Sequence, residues 1–371
     1  MRRAAAKQRL CALWLFSQMR RGRTGRRSNW QLQRAASLRI ALCGGMLALN
    51  LSCTLPAPAQ VAPGLQPGPH GEFGAPVPVA VLGYSDAAPA DDGAAREVME
   101  PFLTRDGKYL FFNNSNDASV DTNLHWARRI DDVTFAYMGE VPGVNTTQLE
   151  GTPSVDAEGT LYFVSPRSYG RSFSTVYRAR WEGSVAEIAL VPGVSERVPG
   201  IVNFDVEVSA DGNELIFVAG EFQRGDSLPR TADLRHAYRQ GNKFVRDPYS
   251  AQMFAAVNTD ALEYSAALGS DGLELFFVRA DPKREVRPAI YRSTRSTRTA
   301  PFSSGVRINS ASVHRDGDRD VEGPALSSDG LTLYFHQRGA HGFALFCVQR
   351  GRPSVQQVLA GQIDNISRSG R

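Results

Sequence analysis

The feature that most constrains this chain is a hairpin written five times. The copies are EPFLTRDGKYLFF (Glu100–Phe112), TPSVDAEGTLYFV (Thr152–Val164), DVEVSADGNELIFV (Asp205–Val218), SAALGSDGLELFFV (Ser265–Val278) and VEGPALSSDGLTLYF (Val321–Phe335). Each sets an acidic residue and a glycine between two apolar runs. That pairing predicts a tight two-residue turn, because Gly takes positive φ without penalty and Asp tolerates it. After the last turn, Leu331, Leu333 and Phe335 fall on one strand face and Thr332 and Tyr334 on the other. The registered glycines, Gly107, Gly159, Gly212, Gly272 and Gly330, stand 52, 53, 60 and 58 residues apart.

Two further segments keep phase with the hairpins. An apolar-aromatic strand follows each one: NLHWAR from Asn123, TVYRAR from Thr175, DLRHAY from Asp233, AIYRST from Ala289 and ALFCVQ from Ala344. A closing segment comes next, at Phe135, Val185, Phe244 and Phe302. Four strands in a repeat of this length predict an all-β propeller blade. A lone blade cannot bury both faces of its sheet, so neighbours must cover one another. A spare closing segment, FGAPVPVAVLGYS from Phe73, precedes the first hairpin. Placed as the outermost strand of the last blade, it latches a ring of five blades and removes an open sheet edge. PSVQQVLAG (Pro353–Gly361) offers a rival fourth strand, and with it a different latch or a sixth blade.

The ends of the chain read differently from the repeats. Residues 1–59 hold 11 Arg or Lys and no Asp or Glu. Removing them from 42 basic and 38 acidic residues leaves 31 against 38, a net charge of −7 for residues 60–371. That balance argues against a nucleic-acid partner, which wants a basic face. The apolar run Ile40–Leu51 is short for a membrane span and suits a signal segment, with Ala57-Pro58-Ala59 at cleavage spacing. Cys53 marks the rival, a lipid anchor. We therefore expect a leader at 1–59, a Pro-rich tether at 60–72, a propeller at 73–350 and a flexible tail at 351–371. The expected location is outside the cytoplasm, periplasmic or associated with the outer envelope. Cys347 is the only cysteine inside the repeats and reads as a small core residue.

The repeat motif runs acid–x–Pro–x–x–Ser–x–Asp-Gly–x–x–Leu–aromatic–Phe. Its fullest copy is Glu322, Pro324, Ser327, Asp329, Gly330, Leu333, Tyr334 and Phe335, followed by Leu345 and Phe346. It resembles the TolB-type, WD-repeat-like β-propellers exported by bacteria, over roughly Phe73 to Arg350. Nothing in the chain resembles the extra N-terminal domain of TolB itself. The resemblance implies a monomeric, non-enzymatic scaffold that binds an envelope protein, or a glycan such as peptidoglycan, through loops at one end of the ring. The alternative is a glycan-active enzyme, hydrolase or lyase, that uses carboxylates at the channel mouth.

The candidate binding residues are the acids just ahead of the proline position: Glu100, Glu150, Asp205, Glu263 and Glu322. A ring of them could hold Ca²⁺, which takes six to eight oxygens. Their offsets from the proline position vary from one to three residues. That blurs any common plane and favours acids that satisfy nearby backbone N–H groups, with no cofactor. Of the histidines, His125 and His236 lie on third strands one register apart. His336 and His341 flank HQRGAHG, and His70 and His314 lie elsewhere. The RDGDRD loop, with Asp316, Asp318 and Asp320, lacks the spacing of a Ca²⁺ loop. The polar stretches SYGRSFS (Ser168–Ser174) and RSTRSTRTA read as solvated loops, the second with arginines that could meet a phosphate. Asn145-Thr146-Thr147 fits a glycosylation sequon, which we read as chance. No nucleophile elbow, HExxH or Walker loop is present.

Overall fold

The computed structural model describes residues 71–84, 96–116, 121–223, 228–312, 320–339 and 342–351. The leader, residues 60–70 of the Pro-rich stretch, Cys53, His70, His314, His341, Asp316, Asp318 and the tail with Pro353–Gly361 lie outside these residues.

Two short strands, β1 (Val77–Pro78) and β2 (Ala80–Leu82), open the described chain. Blade 1 follows as β3 (Met99–Leu103), β4 (Tyr109–Asn113), β5 (Leu124–Arg129) and β6 (Thr134–Glu140). Blade 2 is β7 (Gly151–Val155), β8 (Thr160–Val164), β9 (Val176–Trp181) and β10 (Val185–Leu190). Blade 3 is β11 (Ile201–Val208), β12 (Glu214–Glu221), β13 (Thr231–Gln240) and β14 (Lys243–Arg246). Blade 4 is β15 (Leu262–Leu268), β16 (Glu274–Asp281), β17 (Val286–Thr294) and β18 (Val306–Arg307). The last blade supplies β19 (Val321–Leu326), β20 (Thr332–Gly339) and β21 (Gly342–Gln349).

The protein is a β-propeller. Each innermost strand touches the next, from β3 through β7, β11 and β15 to β19, and β19 returns to β3. Among the described residues this closes a ring of five blades. The N-terminal strands form a double latch. β1 completes the last blade, with Val77 opposite Cys347 and Pro78 opposite Phe346. β2 then crosses to blade 1 and runs parallel to β6. Both end blades thus lose an open edge to the same short segment. Cys347 is fully buried in this latch, and burial pushes its thiol up to about 11.

The turns differ from expectation. Gly107 N–H donates to Thr104 C=O at 2.8 Å, and Thr104 N–H donates to Tyr109 C=O at 2.8 Å, so Arg105 to Lys108 lie between the paired ends. Gly107 has φ of 70°, and the aspartates of these turns keep negative φ. Side chains close this longer turn. Thr104 Oγ1 donates to Asp106 Oδ1 at 2.7 Å, and Ser209–Asp211 and Ser327–Asp329 repeat the bond at 2.6 Å each. That bond explains the hydroxyl residue two places ahead of each of these aspartates.

Each turn is also held from its own third strand. Arg129, Arg239, Arg295 and Arg350 donate to the carbonyls of Gly107, Gly212, Gly272 and Gly330. Arg295 reaches on to Glu214 of blade 3 at 3.0 Å, and Arg350 clasps Glu274 of blade 4 at 2.7 and 2.6 Å. In blade 2, Trp181 takes this position and lies 5.1 Å from the rings of Phe111 and Trp126 in blade 1. The phosphate reading of RSTRSTRTA fails for the same reason. Arg295 is spent on Glu214, and Arg298 on Asp211 at 2.7 Å.

Candidate functional site

The five innermost strands share one irregularity, and it positions the site. Each pairs with its neighbour across a bulge: between Met99 and Phe102, Gly151 and Ser154, Phe204 and Glu207, Tyr264 and Ala267, and Glu322 and Ala325. The bulged residue takes left-handed φ in every blade: Glu100 at 47°, Thr152 at 50°, Asp205 at 49°, Ser265 at 51° and Gly323 at 64°. For the four residues other than glycine, such a conformation costs on the order of 1–3 kcal/mol and persists only where the surroundings hold it.

This bulge sorts the five candidate acids. Glu100 and Asp205 occupy the bulged position, and Glu322 precedes it by one residue. Glu150 and Glu263 precede it by two. The first three come together. Asn116 Nδ2 donates to Glu100 Oε1 at 2.8 Å, and Ser265 Oγ donates to Glu100 Oε2 at 3.3 Å. Ser265 N–H donates to Asp205 Oδ2 at 3.1 Å. One serine of blade 4 therefore joins acids from blades 1 and 3. Tyr264 OH donates to Glu322 Oε1. His336 is wedged between the acids of blades 1 and 5. Its Nδ1 accepts from Glu100 N–H at 3.0 Å, and its Nε2 faces Glu322 Oε2 at 3.4 Å. Gly323 makes room for this approach, since a Cβ there would lie 2.5 Å from His336 Nδ1 and 3.1 Å from Glu100 Oε2.

Glu150 and Glu263 do not join this cluster, which corrects the single-ring expectation. Each closes its own loop in the same way. Thr146 N–H and Oγ1 donate to Glu150 at 2.6 and 2.9 Å, and Thr259 N–H and Oγ1 donate to Glu263 at 2.9 and 2.7 Å. Arg167 pairs with Glu150 at 3.0 Å, and Arg279 with Glu263 at 2.6 Å. Both acids are fully buried, whereas Glu100, Asp205 and Glu322 keep 8%, 5% and 6% of their surface.

The electrostatics follow from which donors surround each carboxyl. Burial raises the Glu100 carboxyl above its ordinary range. The neighbouring His336 opposes the rise, and the charge of Glu322 adds to it. Asp205 is pushed well above its ordinary value by burial and then by Glu100. Burial and Glu322 hold the Tyr264 phenol firmly protonated. Burial also raises Glu150, against the donors of Ser165, Arg167 and Thr146. Glu274 is as deeply set, yet Arg350 and Arg292 outweigh its burial and bring it below the ordinary range. Three polar atoms near the axial acids have no hydrogen-bond partner: Thr152 Oγ1, Asp205 Oδ1 and His336 Nε2.

The other candidates are placed plainly. His125 Nδ1 meets Tyr137 OH at 2.9 Å, and burial lowers its imidazole to about 4. His236 Nδ1 meets Asp247 Oδ2 at 2.9 Å. Asn145 does not offer its amide for modification. It accepts from Leu124 N–H at 2.9 Å and donates to Leu124 C=O at 3.0 Å, as Asn258 does with Leu234 in blade 3. Asp320, the described end of the RDGDRD loop, pairs with Arg287 and Arg338. Among the described residues no group of three acidic, histidine or cysteine side chains is arranged to hold a metal ion. A separate cleft of about 340 Å³ lies at the hairpin turns of blades 1 and 5, lined by Asp106, Arg129, Asp132, Asp329 and Arg350, and the axial acids take no part in it.

No protein-family model and no curated protein matches this chain. Solved structures similar in fold include a family 117 glycoside hydrolase produced by the marine bacterium Zobellia galactanivorans. It is 11% identical over 77% of this chain and 91% of that one, with a TM-score of 0.47. An α-L-arabinofuranosidase from Podospora anserina, in complex with cellotriose, is 11% identical over 77% and 98%, with a TM-score of 0.44. The catalytic domain of an α-L-arabinofuranosidase from Coprinopsis cinerea is 13% identical over 76% and 98%, with a TM-score of 0.43. These are glycoside hydrolases, not TolB-type propellers. That corrects the TolB-type resemblance, together with the non-enzymatic scaffold inferred from it. The shared Ser-x-Asp-Gly motif reflects the turn chemistry described above. At these identities the likeness is one of fold alone.

Proposed function

We propose that the protein is a glycan-active enzyme that hydrolyses a glycosidic bond at the axial carboxyls. The observation that carries this is the meeting of three acids from blades 1, 3 and 5 in which Asp205 Oδ1 is unpartnered. Glycoside hydrolysis needs two carboxyls of opposite protonation state, and unequal surroundings are how one fold provides both. Asp205 Oδ2 is occupied by the Ser265 amide, so a proton on this carboxyl, which burial favours, sits on Oδ1. Asp205 gives that proton to the glycosidic oxygen as the bond to the anomeric carbon breaks. Glu322 takes a proton from water while the water oxygen bonds to that carbon. One water is consumed, and a hemiacetal and an alcohol are released. Solvent exchange then returns the proton from Glu322 to Asp205. The strained bulge is the device that turns Glu100 and Asp205 toward this chemistry. An exported chain, as the leader suggests, would meet such polymers outside the cytoplasm.

The test is release of reducing ends from a panel of polysaccharides by the full chain. Asp205→Asn and Glu322→Gln should each lower turnover by about 10²–10⁴-fold while leaving the circular-dichroism spectrum unchanged. No release from any member of the panel, or equal rates in wild type and both variants, would overturn the reading.

A further inference from the structure

We propose that His336 and Tyr264 are positioning residues that hold Glu322 as the ionised member of the axial cluster, with His336 locked as its Nε2–H tautomer by the backbone of Glu100. The role given to Glu322 rests on the hydrolytic reading; the tautomer does not.

The lock follows from donor and acceptor chemistry. Glu100 N–H can only donate, and it points at His336 Nδ1 from 3.0 Å. Nδ1 must therefore be the bare nitrogen, and the proton of a neutral ring sits on Nε2. That N–H has no hydrogen-bond partner in the resting arrangement and faces Glu322 Oε2 at 3.4 Å. Glu322 Oε1 already accepts from Tyr264 OH. Oε1 of Glu322 thus accepts a hydrogen bond and Oε2 faces a second donor, and donors aimed at both oxygens favour the carboxylate over the acid. The titratable groups around it are Glu100 from β3, Asp205 from β11, Tyr264 from β15 and His336 from β20.

The placement also departs from the repeat. The fifth residue of each second strand is Asn113, Val164, Val218, Val278 and His336. Three copies are valine, as an apolar column requires. His336 is fully buried and packs edge-on to Phe343 with centroids 4.9 Å apart. A buried imidazole in a valine column costs desolvation that packing alone does not demand. Its two nitrogens reach a blade 1 amide and a blade 5 carboxylate, so the ring ties the two latched blades together at the site. Tyr264 ties blade 4 to blade 5 through its bond to Glu322.

The test separates positioning from packing. ¹⁵N NMR of the full chain should show His336 with a protonated Nε2 and a bare Nδ1, a pattern assigned by its loss in His336→Asn. The side-chain carboxyl carbon of Glu322, assigned with Glu322→Gln, should sit at the ionised position at neutral pH. His336→Asn keeps an acceptor for Glu100 N–H at the δ position but is too short to bring a donor to Glu322 from the ε position, and it should shift this signal toward the protonated position. Tyr264→Phe should do likewise. His336→Gln keeps a donor for Glu322 and should leave the signal where it is. A bare Nε2 in the wild type overturns the proposal. So does a Glu322 signal unmoved in both His336→Asn and Tyr264→Phe, or one moved equally by His336→Gln and His336→Asn. If His336→Asn does not fold, the ¹⁵N pattern of the wild type and Tyr264→Phe still decide. These signals are read without substrate, so a failed polysaccharide panel leaves them standing, and their failure leaves the panel result standing.

Discussion

Glu322 and Glu263 start from equivalent stretches of sequence and end in opposite surroundings. Both are glutamates at the entry to an innermost strand, and both are buried. Glu263 lies two residues ahead of the bulge, where the loop Val257-Asn258-Thr259 and Arg279 close around it. Glu322 lies one residue ahead and turns toward Tyr264, His336 and two further carboxyls. A shift of one residue in a bulged strand therefore exchanges a guanidinium for other acids. Burial alone does not mark a functional carboxyl; burial without a cation does.

The largest expected effect tests the paired side of this comparison. Glu263→Gln keeps the shape but leaves Arg279 against a neutral amide. Removing one partner of a buried pair costs about 3–5 kcal/mol, and urea unfolding should show it in the midpoint. Glu322→Gln should cost much less, because no cation is left behind. Equal losses in the two variants would mean that the axial acids are structural in the same sense as Glu263.

The unpaired side predicts a pH slope. Glu100 and Asp205 have raised values in the folded chain, so the folded state holds protons that the unfolded state releases. Stability is then greatest in the ordinary carboxyl range and falls as pH rises from there through the raised folded values. Glu100→Gln with Asp205→Asn should flatten that slope and raise the thermal midpoint at neutral pH relative to wild type. A wild-type midpoint that climbs over the same range would contradict the arrangement. Activity, where a substrate is found, should be lost in the more stable variant.

A smaller effect is expected at Asn145, which serves the Glu150 loop. Its amide bridges the buried N–H and C=O of Leu124. Asn145→Ala should cost about 1–3 kcal/mol for the unmet backbone groups, measured by urea unfolding. Asn145→Asp should also lose stability, since a carboxylate cannot donate to Leu124 C=O. If either change is silent, the clamp contributes nothing and the sequon is open to modification.

Much of the ring was legible in the sequence, because every blade must repeat the same compromise. The registered glycines located the hairpins, and the spare segment at Phe73 foretold the latch to Cys347. The two-residue turn did not form, because Ser or Thr two places ahead of Asp offers a better closure through its hydroxyl. The candidate site was only half legible. The acids were visible, and so were their uneven offsets, but not that a bulge turns those offsets into different environments. Tyr264 and Asn113 went unnoticed because they sit in strands that read as apolar, and His336 was read only as a flank of the HQRGAHG turn. Aligning the five copies on glycine and looking for polar residues in valine or aromatic columns would have found them. The arginine column, Arg129, Arg239, Arg295 and Arg350, was in phase as well. It fell at the seam between the third and fourth strands, where an arginine passes for a solvated residue.

The smallest effect bounds the comparison from outside. Asp211 and Arg298 form a pair at the hairpin-turn end, 42% and 38% exposed. The hydrogen bonds from Arg298, Ser209 and the Asn213 amide hold Asp211 well below the ordinary carboxylate range. Its contribution is therefore present above that range and is lost as pH falls through it, opposite in sign to Glu100 and Asp205. Water and salt screen so exposed a pair, so Asp211→Asn should cost less than about 1 kcal/mol, and less still in concentrated salt. The thermal midpoint of Asp211→Asn at low and high salt checks this. A loss as large as that of Glu263→Gln would show that exposure is not what separates the weak ion pairs of this ring from the strong ones.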